Sequence, residues 1–248
     1  MSEPDSPNET APVRLSGIAL ALAGRQVLSD VNLTLGERRI GIVGRNGSGK
    51  STLARVLTGL VAPDAGKAEV MGIDVARDRR AAIRAVGILF QNPEHQIIFP
   101  TVGEELAFGL RQQGQGRAEV RERVRAMLAR FGRSDWEERS VEALSQGQKH
   151  LVCLMAVLMS EPALIVLDEP FTGLDIPTMR ALQRHFDALA PMLVHITHDT
   201  AALDGYERVI WLEGGRIHRD GPAVPVLEEY LAEMNREGEA DAGSGLAG

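Results

Sequence analysis

The chain has 248 residues, of which 44% are hydrophobic and 25% are charged, and its formal net charge is −7. This composition is typical of an ordinary globular protein, and its acidic balance argues against nucleic-acid binding as the default function. No apolar run approaches the roughly 20 residues of a membrane span, and the start of the chain lacks the features of a signal peptide. We therefore expect a cytosolic protein without a disulfide, whose lone Cys153 serves core packing.

In chain order, short apolar segments predict strands, and residues 104–158 give a mostly helical pattern. Gly214-Gly215 predicts a two-residue hairpin. We expect residues 1–12 and 238–248 to be disordered, and residues 13–237 to form one domain with a helical subdomain at about 100–158. The predicted strands cover residues 18–22, 27–28, 31–35, 40–43, 68–73, 86–90, 164–167, 193–197 and 209–212.

A glycine-rich segment, Gly-Arg-Asn-Gly-Ser-Gly-Lys-Ser-Thr at 44–52, stands between an apolar strand and a helical pattern. In that context the glycines let backbone N–H groups turn towards one point, and the following helix directs its positive end there. Lys50 adds a charge for the β- and γ-phosphates, and the Ser51 hydroxyl suits Mg²⁺. We predict nucleoside triphosphate binding by Gly44, Arg45, Asn46, Gly47, Ser48, Gly49, Lys50, Ser51 and Thr52. The apolar face predicted for the following helix consists of Leu53, Val56, Leu57, Leu60 and Val61.

Two later segments suit the same chemistry. The apolar strand at 164–167 runs into Asp168 and Glu169, and parallel sheets place ligands at the carboxyl ends of their strands. Asp168 is therefore predicted to reach Mg²⁺ through a water molecule, and Glu169 to accept a proton from an attacking water. Ser145 and Gln148 match a capping box, which predicts a second helix N-terminus suited to an anion.

These motifs stand in the order and spacing of ABC-transporter ATPase subunits, which the chain resembles from about residue 15 to residue 221. The resemblance implies a P-loop NTPase α/β core with a mostly parallel sheet, an antiparallel β edge subdomain and an inserted α-helical subdomain. It implies ATP and Mg²⁺ as ligands. The motifs are the phosphate loop, Gln91 after a strand, Leu-Ser-Gln-Gly-Gln at 144–148, Leu-Asp-Glu-Pro at 167–170, Gly-Leu-Asp at 173–175 and His198.

The resemblance also implies roles for these residues in a head-to-tail dimer, homomeric or heteromeric, that encloses two ATP molecules. Gln91 would contact Mg²⁺ and the attacking water, and His198 would touch the γ-phosphate. Asp175 would lie at the dimer seam. The signature residues that would act on ATP held by the second subunit are Ser145, Gln146, Gly147 and Gln148.

The chain departs from the family pattern in two places. Gln146 replaces the usual second glycine of Leu-Ser-Gly-Gly-Gln, and Thr172-Gly173 replace the usual Ser-Ala. Neither change removes a group that the chemistry needs, but both could alter the geometry of the implied dimer. His195 and His198 have an H-x-x-H spacing, but no cysteine or carboxylate cluster accompanies them, so we expect no metal there.

The segment at 90–102 resembles that of energy-coupling-factor importers for vitamins and metal ions, and Leu-Ser-Gln-Gly-Gln favours their biotin branch. In that family the segment borders a groove that receives a transmembrane subunit. Ile97, Ile98 and Phe99 are hard to leave solvated, which favours burial or a partner. The implied partners are a transmembrane coupling subunit and a substrate-binding membrane subunit, with the chain at the cytoplasmic face of the cell membrane and no nucleic acid bound.

The base of the nucleotide lacks an obvious aromatic partner. The family usually stacks adenine on an aromatic residue ahead of the phosphate loop, and the matching position here is about Leu22. No Phe, Tyr, Trp or His precedes Phe90, so we expect the base to rest on aliphatic carbon of Leu22 or Val27, or on a side chain of the second subunit.

Other functions remain open at this point. An ABC importer for cobalt, nickel or another vitamin would share these motifs, because another subunit selects the substrate. A soluble ABC ATPase acting on nucleic acid or ribosomes would carry coiled-coil insertions or tandem ATPase domains. A P-loop kinase would lack the signature helix and Gly-Leu-Asp.

Overall fold

The computed structural model describes residues 12–244, with side chains as far as Glu237. The chain forms two compact units, residues 12–77 with 194–244 and residues 78–193. Of the segments that we expect to be disordered, residues 1–11 and 245–248 lie outside the described part. The backbone of residues 238–244 continues the helix that begins at Ala223.

The described chain contains strands and helices of both expected kinds. The strands are β1 Val13–Leu22, β2 Arg25–Leu35, β3 Arg39–Val43, β4 Ala65–Val70, β5 Ile73–Asp74, β6 Val86–Leu89, β7 Leu164–Asp168, β8 Met192–Ile196, β9 Arg208–Glu213 and β10 Arg216–Pro222. The helices are α1 Lys50–Leu57, α2 Arg79–Ala85, α3 Val102–Gln112, α4 Arg117–Arg130, α5 Gln146–Leu158, α6 Ile176–Asp187 and α7 Ala223–Ser244. The predicted mixed α/β class is confirmed.

In the first unit, an antiparallel sheet has the strand order β2-β1-β4-β5. Val13, Leu15, Ile18 and Leu20 of β1 are buried, and the register shifts between Leu15 and Ile18. Gly17 lies in that shift with φ 58°, and its N–H donates to Asn32 Oδ1 at 2.7 Å. The extra residue behaves as a β-bulge, which keeps Ile18 on the inner face.

The same unit contains the strand that leads into the phosphate loop. Strand β3 runs parallel to β9, and β10 returns antiparallel to β9 through Gly214 and Gly215. Both glycines have positive φ, 52° and 76°, as a type I′ hairpin turn requires, so the predicted hairpin is confirmed. On its other side β3 borders β8, and the Thr197 N–H just beyond β8 donates to Ile42 O at 3.2 Å.

Helix α1 is shorter than its predicted apolar face. It ends at Leu57, and Gly59 follows with φ 69°, where a Cβ would lie only 2.3 Å from the Val75 carbonyl oxygen. This glycine stops the helix because only glycine fits that left-handed, crowded position. The prediction was therefore wrong for Leu60, which is 45% exposed, and for Val61, which lies beyond the helix.

The second unit pairs β6 and β7 in parallel, with Val86 opposite Leu164 and Leu89 opposite Leu167. Every residue of β7 is buried, as expected for a strand covered on both faces. Helices α3, α4 and α5 occupy most of residues 102–158. Helix α4 buries Val120, Val124 and Leu128, which lie on one face at helical spacing.

Candidate functional site

The phosphate loop joins β3 to α1 in the first unit. The Ser48 N–H donates to Arg45 O at 3.1 Å, and Gly49 adopts φ 103° at the N-cap of α1. Helix α1 begins without a side-chain cap and without an acidic residue in its first turn. A helix N-terminus carries partial positive charge, so this position suits an anion.

Lys50 is the buried cation of this loop, only 6% exposed. Its Nζ donates to Gly44 O at 2.7 Å and to Arg45 O at 2.9 Å, so the ammonium is held against the loop backbone. Burying an ammonium is costly unless an anion or several acceptors surround it. A phosphate at the loop would lie beside this ammonium. The Arg45 side chain points elsewhere, to an ion pair with Glu237 of α7.

Close packing explains why the loop requires glycine. A Cβ on Gly44 would lie 2.1 Å from Leu212 O, and Gly44 has φ 151°. Beside it the Ser48 hydroxyl is buried and, among the described residues, has no hydrogen-bond partner. A buried hydroxyl without an acceptor is unfavourable, and a phosphate oxygen would satisfy it. The loop therefore fits the phosphate group that its sequence predicts.

The β1–β2 hairpin lies against this loop. Cβ atoms on Gly49 and Gly215 would come within 2.9 Å and 2.2 Å of Val27 O. Leu22, at the end of β1, is 39% exposed. An exposed leucine on a hairpin beside the loop is compatible with contact to a base, and that role stays a prediction.

His198 and His195 have different environments despite their spacing. His198 is exposed in the loop after β8, at the same sheet edge from which the phosphate loop leaves β3. His195 is fully buried, its Nδ1 lies 3.0 Å from Tyr206 Oη, and burial lowers its pKa to about 3. Among residues 12–244, no group of three or more His, Cys, Asp or Glu is arranged to hold a metal.

In the second unit, β7 ends at the two predicted carboxylates. Asp168 is 7% exposed, and Glu169 has φ 52°, which is unusual for a residue with a Cβ. Such conformations cost free energy and cluster at functional sites. The Thr172 hydroxyl donates to Glu169 Oε2 at 3.2 Å, so one of the two departures from the family pattern contacts the predicted base.

Gln91 follows β6, the parallel neighbour of β7. Its side chain is exposed, and the carboxyl ends of the two strands bring Gln91 and Asp168 to one edge of the sheet. The structure thus groups these two predicted Mg²⁺ ligands within the second unit.

The segment after Gln91 is held by its own polar side chains. Asn92 Oδ1 accepts the Glu94 N–H at 3.0 Å, and Gln96 Nε2 donates to Ile88 O at 3.2 Å. The buried Glu105 carboxylate accepts the N–H groups of two neighbouring residues at 2.9 Å each. The two donors are the N–H groups of Ile98 and Phe99. Together these hydrogen bonds fix the backbone of the segment, which explains its sequence pattern.

The three apolar residues at 97–99 differ in their exposure to solvent. Phe99 packs against Phe108 with ring centroids 5.1 Å apart, whereas Ile98 is 70% exposed. Ile97 and Phe99 are half-buried, which leaves Ile98 as the exposed residue that favours a partner.

The signature motif begins α5. Ser145 and Gln148 form the predicted capping box: Ser145 Oγ accepts the Gln148 N–H at 3.4 Å and Gln148 Oε1 accepts the Ser145 N–H at 3.1 Å. A Cβ on Gly147 would lie 2.1 Å from Thr178 Cγ2, so α6 excludes any larger residue there. A cleft of about 330 Å³ opens between α5 and α6, and Ser145, Gly147 and Gln148 line it.

The other signature residue and the seam residue are both exposed. Gln146 is the first residue of α5, and Asp175 is the N-cap of α6, accepting the Thr178 N–H at 2.8 Å. Hydrogen bonds from Thr178 hold the pKa of Asp175 below its ordinary value. The Asp175 carboxylate is therefore ionised and exposed, and its contact with a second subunit stays a prediction.

Sequence reasoning missed two contacts at the site. Thr172 reaches Glu169, and the buried His150 of α5 reaches the Gln91 backbone. In the sequence, His150 stands at the start of an apolar helical run. Nothing local indicates that its partner lies 59 residues away.

Comparison with known proteins gives consistent results. A family model described as ABC transporter matches residues 28–172. The biotin transport ATP-binding protein BioM of Rhodobacter capsulatus is 50% identical over 230 residues, covering 93% of this chain and 98% of that protein. The energy-coupling factor transporter ATP-binding protein EcfA1 of Lacticaseibacillus paracasei is 37% identical over 218 residues, covering 84% and 77%.

Among solved structures, cbiO1 of Clostridium perfringens, described as part of the ABC transporter complex cbiONQ, superimposes with a TM-score of 0.77. It is 26% identical, and the match covers 90% of this chain and 92% of that one. Within residues 12–244, no helix has both the length and the apolar character to cross a bilayer.

Proposed function

Because the chain belongs to the ABC transporter family of ATP-binding subunits, which hydrolyse ATP to drive transport, we propose that it energises a biotin importer of the energy-coupling-factor type. The observation that carries the proposal is the 50% identity with BioM along 93% of the chain. EcfA1 relatives and the segment after Gln91 support the same importer type.

The phosphate loop is proposed to hold the triphosphate of ATP. The N-terminus of α1 and the buried Lys50 ammonium supply positive charge there, and the buried Ser48 hydroxyl has no hydrogen-bond partner among the described residues. Leu22 would contact the base from the exposed end of β1. These features belong to one unit and act together on one ligand.

Hydrolysis is proposed to rest on residues at the strand ends. Mg²⁺, when bound, neutralises charge that develops on the phosphates, and Ser51, Gln91 and Asp168 (through water) would hold it. Glu169 accepts a proton from the attacking water, with Thr172 orienting the carboxylate at 3.2 Å. His198 contacts the γ-phosphate from the loop after β8.

The signature helix is proposed to act on ATP held by a second ATPase subunit. The cleft beside Ser145, Gly147 and Gln148 opens at the N-terminus of a 13-residue helix, where an anion is stabilised by backbone N–H groups. Gln146 replaces a glycine at an exposed position and leaves the capping box intact. Asp175 would lie at the seam of this head-to-tail dimer.

A transmembrane coupling subunit is proposed to dock beside the segment after Gln91, which places the chain at the cytoplasmic face of the cell membrane. The exposed Ile98 is the apolar contact. Nearby, a groove of about 560 Å³ between α3 and α4 carries both charge signs and suits a helix with polar flanks. Residues that line the groove include Thr101, Glu104, Ala107, Arg111, Arg121 and Glu137.

A separate substrate-binding membrane subunit would select biotin.

The test is purification of the affinity-tagged chain from membranes of its own cells, with identification of the co-purified subunits and uptake of labelled biotin by the reconstituted complex. We expect two membrane proteins to co-purify and ATP-dependent biotin uptake, which Lys50→Ala abolishes. Uptake of cobalt or nickel instead of biotin would contradict the substrate, and the absence of any membrane protein would contradict the importer role.

A further inference from the structure

Helix α5 carries a buried histidine that bridges two parts of the proposed site. His150 is 2% exposed. Its Nδ1 lies 3.1 Å from Gln146 O, at the start of the signature helix, and its Nε2 lies 3.3 Å from Gln91 O. One imidazole thus contacts both the backbone of the proposed Mg²⁺ ligand and the first residue of the helix that would act on the second ATP.

The two carbonyls compete for one proton. A neutral imidazole has a single N–H, so only one of the two carbonyl oxygens can accept it. In an α-helix the carbonyl of residue 146 normally accepts the backbone N–H of residue 150. Gln91 O is therefore the acceptor that an Nε2–H serves.

Neighbouring residues of α5 hold the same segment. The Lys149 ammonium forms an ion pair with Glu94 and is largely buried, with 13% of its side chain exposed. One turn further along, Cys153 Sγ lies 4.0 Å from Pro93 O. Three successive contact points along one face of the helix thus meet residues 91–94. Of these, the His150 contact is the one made to Gln91 itself.

We propose that His150 is a positioning residue that ties the Gln91 backbone to the signature helix, so that the two move as one body when ATP binds. The inference rests on the proposed function, because it takes Gln91 and the signature residues to act on ATP. A buried histidine with a purely structural role would contribute to stability and leave the chemistry of bound ATP unchanged.

The experiment compares His150→Gln with His150→Asn in the purified full-length chain. A glutamine places its amide nitrogen near the position of Nε2, whereas an asparagine places its amide nitrogen near Nδ1. His150→Gln should keep the contact with Gln91 O and retain kcat for ATP hydrolysis within about threefold. His150→Asn should lose kcat by about tenfold or more, because a displaced catalytic group is costly, with KM for ATP unchanged.

Val152→Ala is the matched control, since Val152 is fully buried on the same helix and the change removes packing volume. It should lower the melting temperature and leave kcat unchanged. Equal kcat for the glutamine and asparagine variants, or a kcat that follows the melting temperature across all three, would overturn the inference. Normal hydrolysis by Lys50→Ala and Glu169→Gln would instead show that the proposed function itself is wrong.

Discussion

At the scale of single residues, burial decides the protonation state of His195. Its pKa falls to about 3 because the imidazolium would lose its hydration inside the first unit. The unfolded chain takes up a proton near pH 6.5, whereas the folded chain resists it down to about pH 3. The neutral ring therefore contributes stability that is present above pH 6.5 and is lost as the pH falls below it.

We predict that the free energy of unfolding of the wild type falls by about 2 kcal/mol more than that of His195→Asn between pH 7 and pH 5. Urea unfolding at the two pH values measures this difference. The variant is expected to be less stable at pH 7, because it loses packing around Tyr206. Its free energy of unfolding should, however, change less with pH than that of the wild type. If the free energies of unfolding of the two proteins changed equally with pH, the lowered pKa of His195 would be contradicted.

Leu22 carries the second prediction at this scale. Replacing it with tyrosine should tighten ATP binding, because aromatic stacking contributes roughly 0.5–1.5 kcal/mol beyond area burial. The wild type should discriminate poorly between ATP and GTP. Leu60→Tyr is the control, since Leu60 is similarly exposed at 45% but lies beyond the far end of α1. Nucleotide titrations decide; strong ATP preference with no gain from Leu22→Tyr would mean that the base lies elsewhere.

At the scale of elements, local patterns predicted most of the strands and the capping box, because each depends on residues close in sequence. The motif residues of the phosphate loop were readable for the same reason. The contact of His150 with Gln91 spans 59 residues and has no local signature. Helix α7 had a signal that went unused: Ala223, Val226 and Tyr230 are buried at helical spacing. The Gly- and Ala-rich end of the chain obscured it.

The element after β6 gives the third prediction. Ile98→Asp should leave ATP binding and thermal stability intact but weaken association with the membrane subunits, because Ile98 is 70% exposed and Glu105 fixes its backbone. Ile83→Asp on α2, 67% exposed, is the matched control. A pull-down in detergent compares them. Equal recovery of the membrane subunits with both variants would exclude Ile98 from the interface.

At the scale of the whole molecule, each unit contains one part of the proposed site. The first unit contains the phosphate loop, the hairpin beside it and His198, and the second contains the carboxylates, Gln91 and the signature helix. We infer that one chain supplies the signature for ATP bound by another. Hydrolysis then depends on two chains meeting, and blocking the proton transfer should trap them together.

Glu169→Gln tests this central claim most directly, because it removes proton acceptance and keeps the size of the side chain. Glu161→Gln is the control: Glu161 has nearly the same backbone φ, 50°, but its side chain is 80% exposed and pairs with Arg123. The measurements are ATP turnover and the oligomeric state, which gel filtration with ATP and Mg²⁺ reports. We expect Glu169→Gln to lower turnover by about 10²-fold or more and to accumulate an ATP-bound dimer, while Glu161→Gln behaves as the wild type. Near-normal turnover of Glu169→Gln, or a monomer that retains ATP, would contradict the account.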